Sequence, residues 1–328
     1  MEEKKKRTKK SIIIFALILA GVLVLGIVGK LAGLGGGSDE DISGAASVHG
    51  DFVGVLYIEG TISESDTQYD HDYALDAING MIENKDNKGI MLYINTPGGG
   101  VYESDELYLK IKEYQEDTGR PVYAYLGNQA TSGGYYVAAP ADRILANRNC
   151  WTGSIGVTLG NLYDISGLLT KYGIKSTTIT SGANKAMGDM TAPMTEEQRK
   201  IFQSLVDEAY DQFVTIVAEG RLLDESYVRG IADGRIYTAK QAKELKLVDG
   251  VVDTYDDAID DMVENFGLDN CDIKEFRYEP DLGVLNSFIQ SINKLADASA
   301  GNGDIKALTE LMEQENEMPL QYMCEVTK

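Results

Sequence analysis

From residue 52 onward, short apolar runs alternate with stretches that have the apolar spacing of helices. The runs at Phe52–Ile58, Gly89–Asn95 and Pro121–Leu126 predict buried strands. Helical spacing follows the first two runs, at Tyr73–Glu83 and Glu103–Glu116. This alternation predicts an α/β fold, in which parallel strands are covered by helices. On such a scaffold the functional residues usually lie in the turns that follow the strands.

The same alternation continues towards the C-terminus. Asp142–Ala146 predicts a further strand, and Thr195 opens a long helix that we expect to end near Glu219. Gln198 follows Thr195 at the spacing of a capping box, in which each residue satisfies the backbone amide of the other. The long helix therefore has a well-defined predicted start.

The first thirty residues predict a membrane anchor. Residues 1–10 are mostly basic, and the nineteen residues that follow, 11–29, carry no charge. As a helix with a rise of about 1.5 Å per residue, this run would cross the ~30 Å hydrocarbon core of a bilayer. The basic flank favours a cytoplasmic N-terminus, so we predict a single-pass protein of the cell membrane with its main domain outside. Residues 30–50 are expected to form a flexible linker. A cleaved secretory signal is the alternative.

The charge and the scarcity of metal-binding residues exclude several functions. Asp and Glu total 52 against 30 Lys and Arg, a net charge of −22, whereas a nucleic-acid partner requires a basic face. The chain has two histidines and three cysteines, with no CxxC pair and no HExxH. We therefore expect no nucleic-acid partner and no metal site.

The turn after the third predicted strand places a serine between a strand and a helix. It reads QATSGGYY over residues 129–136, and the small residues around Ser132 allow a tight turn with an open hydroxyl. This pattern predicts a nucleophile elbow, although Ala130 stands where the usual G-x-S-x-G pattern has glycine. The amide of Gly133, at the helix start, can donate to a developing oxyanion. The alternative is a Ser132 that only caps the helix.

A serine nucleophile needs a general base. Of the two histidines, His49 lies in the linker and His71 in a polar stretch that we interpret as a loop. Lys185 stands out among the lysines because its neighbours in TSGANKAMG include no acidic residue. An amine base requires its pKa to fall from about 10.4 to about 7–8 through burial, which costs roughly 4 kcal/mol. His71 as the base, and Lys185 as an ordinary loop lysine, are the alternatives.

A series of motifs, taken in order, points to a known family. It consists of the PGGG turn after the second strand, then ATSGGYY, GSIGV, SGANK and PMTEEQ, all between residues 53 and 252. Together these motifs resemble signal peptide peptidase SppA in its shorter, single-repeat, Gram-positive-type form, which is a peptidase family with a Ser/Lys dyad. The uncharged segment at 11–29 agrees with the resemblance.

The resemblance implies a role for residues in several of these motifs. It makes Ser132 the nucleophile and Lys185 the general base, with Ser154 of GSIGV helping to hold the lysine amine. The amides of Gly99 and Gly133 become the oxyanion donors. From the residues alone, Ser154 could be merely a turn residue. The glycines of PGGG could form a phosphate loop, although neither GxxxxGK[ST] nor GxGxxG is present.

The resemblance also implies the fold, the assembly and the substrate. The fold would be a ClpP/crotonase-like spiral of β-β-α units over residues 51–265, preceded by one N-terminal transmembrane helix. Neighbouring protomers of a homo-oligomeric ring would share each active site. The enzyme would be a serine endopeptidase that hydrolyses apolar, signal-peptide-derived peptides from the extracytoplasmic side of the membrane, without a cofactor or metal.

The C-terminal extension, residues 266–328, departs from a simple core. Leu282–Leu295 predicts an amphipathic helix, and the chain ends in an apolar segment that starts at Met318. Because that segment resembles a peptide substrate, we hypothesise that residues 318–328 lie in the groove beside Ser132 and restrain activity. Packing on its own or on a neighbouring subunit is the alternative.

Three other functions stay open on the sequence. A related membrane-bound protease of membrane-protein quality control would share the motifs. A non-catalytic membrane scaffold of the same fold would need neither Ser132 nor Lys185, and both are present. A crotonase-like acyl-CoA enzyme would be cytoplasmic, which the predicted anchor contradicts.

Overall fold

Apolar runs rich in Val, Ile, Leu and Tyr form the centre of the molecule, a mixed sheet made mainly of parallel strands. The computed structural model describes residues 43–280 and 321–323, and within them nine strands form one sheet. The strands are β1 (Phe52–Ile62), β2 (Asn87–Gly100), β3 (Val122–Thr131), β4 (Arg143–Asn147), β5 (Trp151–Gly153), β6 (Ile236–Thr238), β7 (Gly250–Val252), β8 (Asp272–Phe276) and β9 (Gln321–Met323).

The middle of the sheet consists of β1, β2 and β3, which are parallel neighbours in that order. Their register places Tyr57 opposite Tyr93 and Tyr93 opposite Tyr125. The three rings stack across the strands, with centroids 4.6 Å and 5.4 Å apart. On the other side of β1 lies β8, which is parallel to β1. The two antiparallel pairs among the described strands are β5–β6 and β2–β9.

β3 changes its partner along its length. Its first half, Tyr123–Leu126, pairs with β4, which continues the sheet to β7. Its last residues, Gln129–Thr131, pair with β5 instead. The sheet therefore divides within β3, and the turn that follows β3 is attached to the branch formed by β5 and β6.

The helices connect these strands and cover the sheet. Among the described residues they are α1 (Ser43–Ala46), α2 (His71–Glu83), α3 (Val101–Thr118), α4 (Gly133–Ala138), α5 (Ser166–Lys171), α6 (Glu196–Arg221), α7 (Glu225–Ile231), α8 (Ala239–Glu244) and α9 (Tyr255–Phe266). The capping box predicted for α6 is confirmed, because the side chains of Thr195 and Gln198 each accept the backbone amide of the other. Asp70 caps α2 by accepting the Tyr73 amide at 2.9 Å.

Two apolar layers cover the two faces of the sheet. One layer includes Ile58, Leu92 and Phe213, and α2, α3, α4 and α6 contribute to it. The other layer includes Met91 on β2 and Met262 on α9. The described residues from Ala45 onward belong to one compact unit.

The predicted α/β class is confirmed, with two local corrections. β2 does not end at Asn95 but continues through the PGGG segment to Gly100. It can do so because Gly98 adopts a φ of 105° and its amide donates to Thr96 Oγ1 at 3.0 Å, so the chain bends without leaving the sheet. His71 does not lie in a loop, because the Asp70 cap makes it the first residue of α2, where it is buried.

Several predicted segments lie outside the described residues. They include the transmembrane helix at 11–29, most of the linker at 30–50 and the helix at Leu282–Leu295. Residues 45–48 at the end of the linker are docked, because Asn84 Nδ2 donates to the carbonyl oxygens of Ala45 and Val48 at 2.9 Å each. No helix within the described residues has both the length and the apolar character that crossing a bilayer requires.

Candidate active site

Ser132 stands at the sharp turn between β3 and α4. Its backbone has a φ of 55° and a ψ of −117°, a combination that is rare for a residue with a side chain. The Ser132 amide donates to Gly153 O at 2.8 Å, and the amides of Tyr135 and Tyr136 donate to Ser132 O at 2.9 Å. The residue therefore has the elbow geometry predicted from the sequence, held by β5 on one side and α4 on the other.

The Ser132 hydroxyl is buried and unpaired. The residue is 1% exposed, and its Oγ has no hydrogen-bond partner among the described residues. Ser132 occupies the N-cap position of α4 without making a capping hydrogen bond. The alternative of a serine that only caps the helix is therefore wrong. A buried hydroxyl without a partner costs about 1–3 kcal/mol, and groups kept at that cost often serve function.

Two glycines bring backbone amides to the same corner. Gly133 is the first residue of α4, and the first amides of a helix have no acceptor within the helix. A Cβ built on Gly133 would lie 3.1 Å from the amide nitrogen of Gly99, so the two glycines are close neighbours. Both glycines that the resemblance assigns to the oxyanion hole therefore lie beside Ser132.

Gly99 has no room for a side chain. A Cβ at this position would overlap the backbone of Ile62, its partner on β1. The PGGG segment is also tied to β3, because Thr131 Oγ1 donates to Pro97 O at 3.1 Å. Strands on both sides thus hold the Gly99 backbone in place, as a preorganised oxyanion donor requires.

Ser154 lies next to this corner, at the end of β5. The register pairs Gly153 with Thr131, the residue before the elbow serine. Ser154 is buried with a φ of 51°, and its amide donates to Arg235 O at 2.8 Å. Together with residues of α6 and α7, it lines a cavity of about 480 Å³. Ser154 therefore borders a space large enough to receive a side chain from elsewhere.

The cavity beside Ser154 is charged. Arg229 and Asp233 both line it, and Arg229 is paired with Asp211 at 2.7 Å. Hydrogen bonding to Arg235 lowers the pKa of Asp233 to about 2, so this carboxylate is ionised at physiological pH. Within the described part of the chain, no group of His, Cys, Asp and Glu residues is arranged to hold a metal ion. The two charged side chains named here are thus already paired, and the cavity has a polar lining.

Lys185 is not brought to Ser132 within one chain. Its amide donates to Gly182 O at 3.1 Å, and the neighbouring Asn184 Nδ2 donates to Glu197 Oε1 at 3.1 Å, which fixes the loop. The lysine is exposed, whereas Ser132 is buried and its Oγ bonds no described residue. Within the described residues of one chain, Lys185 therefore makes no hydrogen bond to Ser132 Oγ, and the resemblance expects the two residues to meet between neighbouring protomers.

The segment that carries Lys185 exposes large apolar side chains. Ile179 is 94% exposed, and Tyr163 and Tyr172 are each 69% exposed. No residue between 156 and 208 is fully buried. Large apolar side chains exposed along one segment are what a protein–protein contact would cover.

His71 is engaged away from the elbow. Its Nε2 lies 2.9 Å from Glu106 Oε2 and its Nδ1 lies 2.9 Å from Tyr69 Oη. The hydrogen bond from His71 lowers the pKa of Glu106 below its usual value. Because both ring nitrogens have partners, neither is free to take a proton from Ser132, and the structure does not support His71 as the base.

A short strand from the C-terminal tail lies along the PGGG segment. Residues 321–323, which form β9, pair antiparallel with Gly98–Gly100, so that Tyr322 is the register partner of Gly99. β9 also approaches α3 and α4. Extended peptide backbone therefore lies against the strand that carries the Gly99 amide, as the tail hypothesis requires.

Sequence reasoning missed one polar side chain at this corner. Ser104, on the first turn of α3, is fully buried against Gly133. Its position within the predicted helix Glu103–Glu116 gives no signal beyond helical spacing. Only the packing of α3 against α4 shows where this hydroxyl lies.

Comparisons with known proteins find similar chains among peptidases. The model of peptidase family S49 matches residues 114–269. The chain is 37% identical over 249 residues to "Putative signal peptide peptidase SppA" of Enterococcus faecium, a match that covers 74% of this chain and 71% of that protein. It is 30% identical over 193 residues to "Protease 4" of Salmonella typhi, covering 59% of this chain and 31% of that protein. Among solved structures, a point mutant of ClpP1 from Listeria monocytogenes has a TM-score of 0.41 and 13% identity, covering 62% of this chain and 92% of that chain.

Proposed function

Because this chain belongs to peptidase family S49 and its relatives include SppA-type serine proteases, we propose that it is a membrane-anchored serine endopeptidase of signal-peptide remnants. Ser132 is the nucleophile, and Lys185 of a neighbouring copy is the general base. One observation carries the proposal. A buried hydroxyl on a strained elbow, without a partner among the described residues, lies next to two glycine amides and to a strand edge that pairs with extended peptide.

The pairing of β9 with Gly98–Gly100 supports a peptide substrate. A substrate bound in the same way would form main-chain hydrogen bonds with this edge, as peptides do when they add a strand to a sheet. Its backbone would then run past Gly99, one of the two proposed oxyanion donors. Such binding depends on the backbone more than on side chains, and therefore suits an enzyme that cuts peptides of varied apolar sequence.

The chemistry follows from the residues at the corner. Ser132 Oγ attacks the carbonyl carbon of the scissile amide, and its proton passes to the lysine amine. The oxygen of the tetrahedral intermediate becomes negative and accepts hydrogen bonds from the amides of Gly99 and Gly133. The lysine then gives the proton to the leaving amine. Water attacks the acyl-enzyme by the same route and regenerates the Ser132 hydroxyl.

The base comes from a neighbouring copy in this proposal. Lys185 is exposed and makes no hydrogen bond to Ser132 Oγ within the described residues of one chain, which leaves its amine available to a second chain. Covering the exposed apolar side chains around Ile179 and Tyr172 would stabilise such a contact. Burial of the lysine amine in the contact would favour its neutral form, which is the form that accepts a proton.

Ser154 orients the lysine amine in this assembly. It borders the cavity of about 480 Å³ and lies one residue after Gly153, whose carbonyl accepts the Ser132 amide. A lysine that reaches Ser132 through this cavity passes the Ser154 hydroxyl. A hydrogen bond between the two groups would then point the amine towards the nucleophile.

The proposed location and substrate rest on the sequence and on the named relatives. Residues 11–29 would anchor the enzyme, with residues 1–10 in the cytoplasm and the peptidase domain, residues 51–265, outside. A short linker would keep the active site near the bilayer, where apolar remnants of signal peptides remain. Residues 266–328 form a C-terminal extension with a regulatory role.

The test compares hydrolysis of an apolar peptide amide by the wild-type chain and by its Ser132→Ala and Lys185→Ala variants. Both variants should be inactive while keeping the wild-type oligomer size in light scattering. Lys240→Ala is the control, because Lys240 is an exposed lysine on α8, outside the segment proposed to contact the neighbouring copy. It should retain full activity. An active Lys185→Ala variant would remove the assigned base.

A mixing experiment tests whether the site is shared between chains. The Ser132→Ala and Lys185→Ala chains are dissociated, mixed in equal amounts and allowed to reassemble. If each site takes its serine and its lysine from different chains, random assembly restores about one quarter of wild-type activity. A mixture that stays inactive, although mixed oligomers have formed, would show that both residues must come from one chain.

A further inference from the structure

The Ser104 hydroxyl has no partner in the described part of the chain, although the residue is fully buried. It stands on the first turn of α3, where a serine side chain commonly bonds the carbonyl oxygen four residues earlier. That carbonyl belongs to Gly100, and no such hydrogen bond forms. Since buried polar groups are almost always paired, the free hydroxyl calls for a partner that the free enzyme does not provide.

The position of this hydroxyl shows which partner fits. A Cβ built on Gly133 would lie 2.5 Å from Ser104 Oγ and 3.1 Å from the Gly99 amide nitrogen. Ser104 Oγ and the Gly99 amide therefore border the same small space next to Gly133. Any side chain at 133 would collide with the Ser104 hydroxyl, so glycine at this position allows the three groups to lie together. Ser132, the residue just before Gly133, carries the other buried serine hydroxyl that has no partner in the described residues.

We propose that Ser104 is a catalytic residue whose hydroxyl donates a hydrogen bond to the oxyanion of the tetrahedral intermediate. It would be the third donor, in addition to the amides of Gly99 and Gly133. This inference rests on the proposed function, since it requires acyl transfer at Ser132. The free enzyme keeps the hydroxyl unpaired, and the intermediate supplies the acceptor. A donor that is used only in the transition state raises kcat without tightening substrate binding.

The alternative is a hydroxyl that only fills space between α3 and α4. The two roles predict different results for Ser104→Ala. A catalytic donor predicts a fall in kcat of about 10- to 100-fold with KM unchanged, because the two backbone amides remain. It also predicts an unchanged or higher melting temperature, because the variant loses an unpaired buried group. A structural role predicts a lower melting temperature. In that case either kcat is unchanged, or kcat and KM change together.

Tyr255→Phe is the matched control. The Tyr255 hydroxyl is also buried and makes no hydrogen bond of normal geometry in the described residues, although it interacts with the nearby Tyr57. It belongs to α9, on the other face of the sheet, where its ring packs against Tyr93 and Tyr125. Removing it should leave kcat and KM unchanged. The control therefore shows whether a change in kcat comes from losing a buried hydroxyl anywhere in the fold or from losing the one at the active site.

A second measurement separates the intermediate from the bound substrate. A peptide aldehyde adds to the Ser132 hydroxyl and forms a tetrahedral adduct, so its inhibition constant should rise in Ser104→Ala by the same factor as kcat falls. Affinity for the uncleaved peptide, measured in Ser132→Ala with and without Ser104→Ala, should not change. Equal activity of Ser104→Ala and wild type would overturn the role of Ser104 while leaving the proposed function intact. An inactive wild-type enzyme would overturn both.

Discussion

Replacing the elbow serine should stabilise the protein while abolishing activity. Ser132 Oγ is buried without a hydrogen-bond partner in the described residues, and such a group costs about 1–3 kcal/mol. Ser132→Ala removes that cost and keeps the backbone conformation. A domain of this size melts roughly 2–4 °C higher for each kcal/mol of added stability. We therefore expect the melting temperature of Ser132→Ala to rise by about 2–12 °C.

Ser132→Gly extends the same prediction. The φ of 55° is strained for any residue with a Cβ, at a cost of about 1–3 kcal/mol, and glycine relieves it. The larger conformational freedom of glycine in the unfolded chain takes back about 0.5–1 kcal/mol. The glycine variant should therefore be at least as stable as the alanine variant, and both should be more stable than wild type.

The assay is thermal unfolding followed by circular dichroism, at one protein concentration and one scan rate, with oligomer size checked in the same samples. Ser204→Ala is the control, because Ser204 is an exposed serine on α6. Its melting temperature should match wild type. A melting temperature of Ser132→Ala at or below that of wild type would refute the reasoning, because it would mean that the hydroxyl has a partner in the free enzyme.

Three further predictions test other parts of the site. Gly99→Ala should lower the melting temperature and abolish activity, because its Cβ would overlap the Ile62 backbone. Gly230→Ala on α7, with open space around its Cβ, should do neither. Deleting residues 318–328 should raise kcat/KM for a peptide amide, because the deletion removes β9 from the strand edge at Gly98–Gly100. Unchanged activity in an intact oligomer would contradict a restraining tail. Burial raises the pKa of Cys150 to about 12, so iodoacetamide at pH 8 should alkylate this thiol only after unfolding, and mass spectrometry of the native protein should find it unmodified.

Local patterns in the sequence were enough to predict most of the scaffold. The strand positions follow from apolar runs, and the start of α6 follows from the Thr195–Gln198 pair, because both signals depend on neighbouring residues. The course of β2 through PGGG was not predictable in this way. It depends on the close approach of Gly99 to Ile62, which is a contact between distant parts of the chain.

The candidate site shows the same division. The elbow at Ser132 was predictable because small residues surround it in sequence. The position of His71 was predicted wrongly as a loop, since its burial depends on Tyr69 and on Glu106 from another helix. Ser104 gave no local signal, because its significance lies in a hydroxyl that has no partner in the described part of the folded chain.

The exposure of Lys185 in a chain whose Ser132 is buried has a consequence for the cell. In the proposed assembly, the serine and the lysine of each dyad come from two different chains. A newly made single chain therefore has no complete dyad and cannot cut peptide bonds. Proteolysis would begin only when enough copies have gathered in the membrane to meet. The density of the enzyme in the bilayer would then act as its switch, and a cell could insert single copies without damage to the proteins around them.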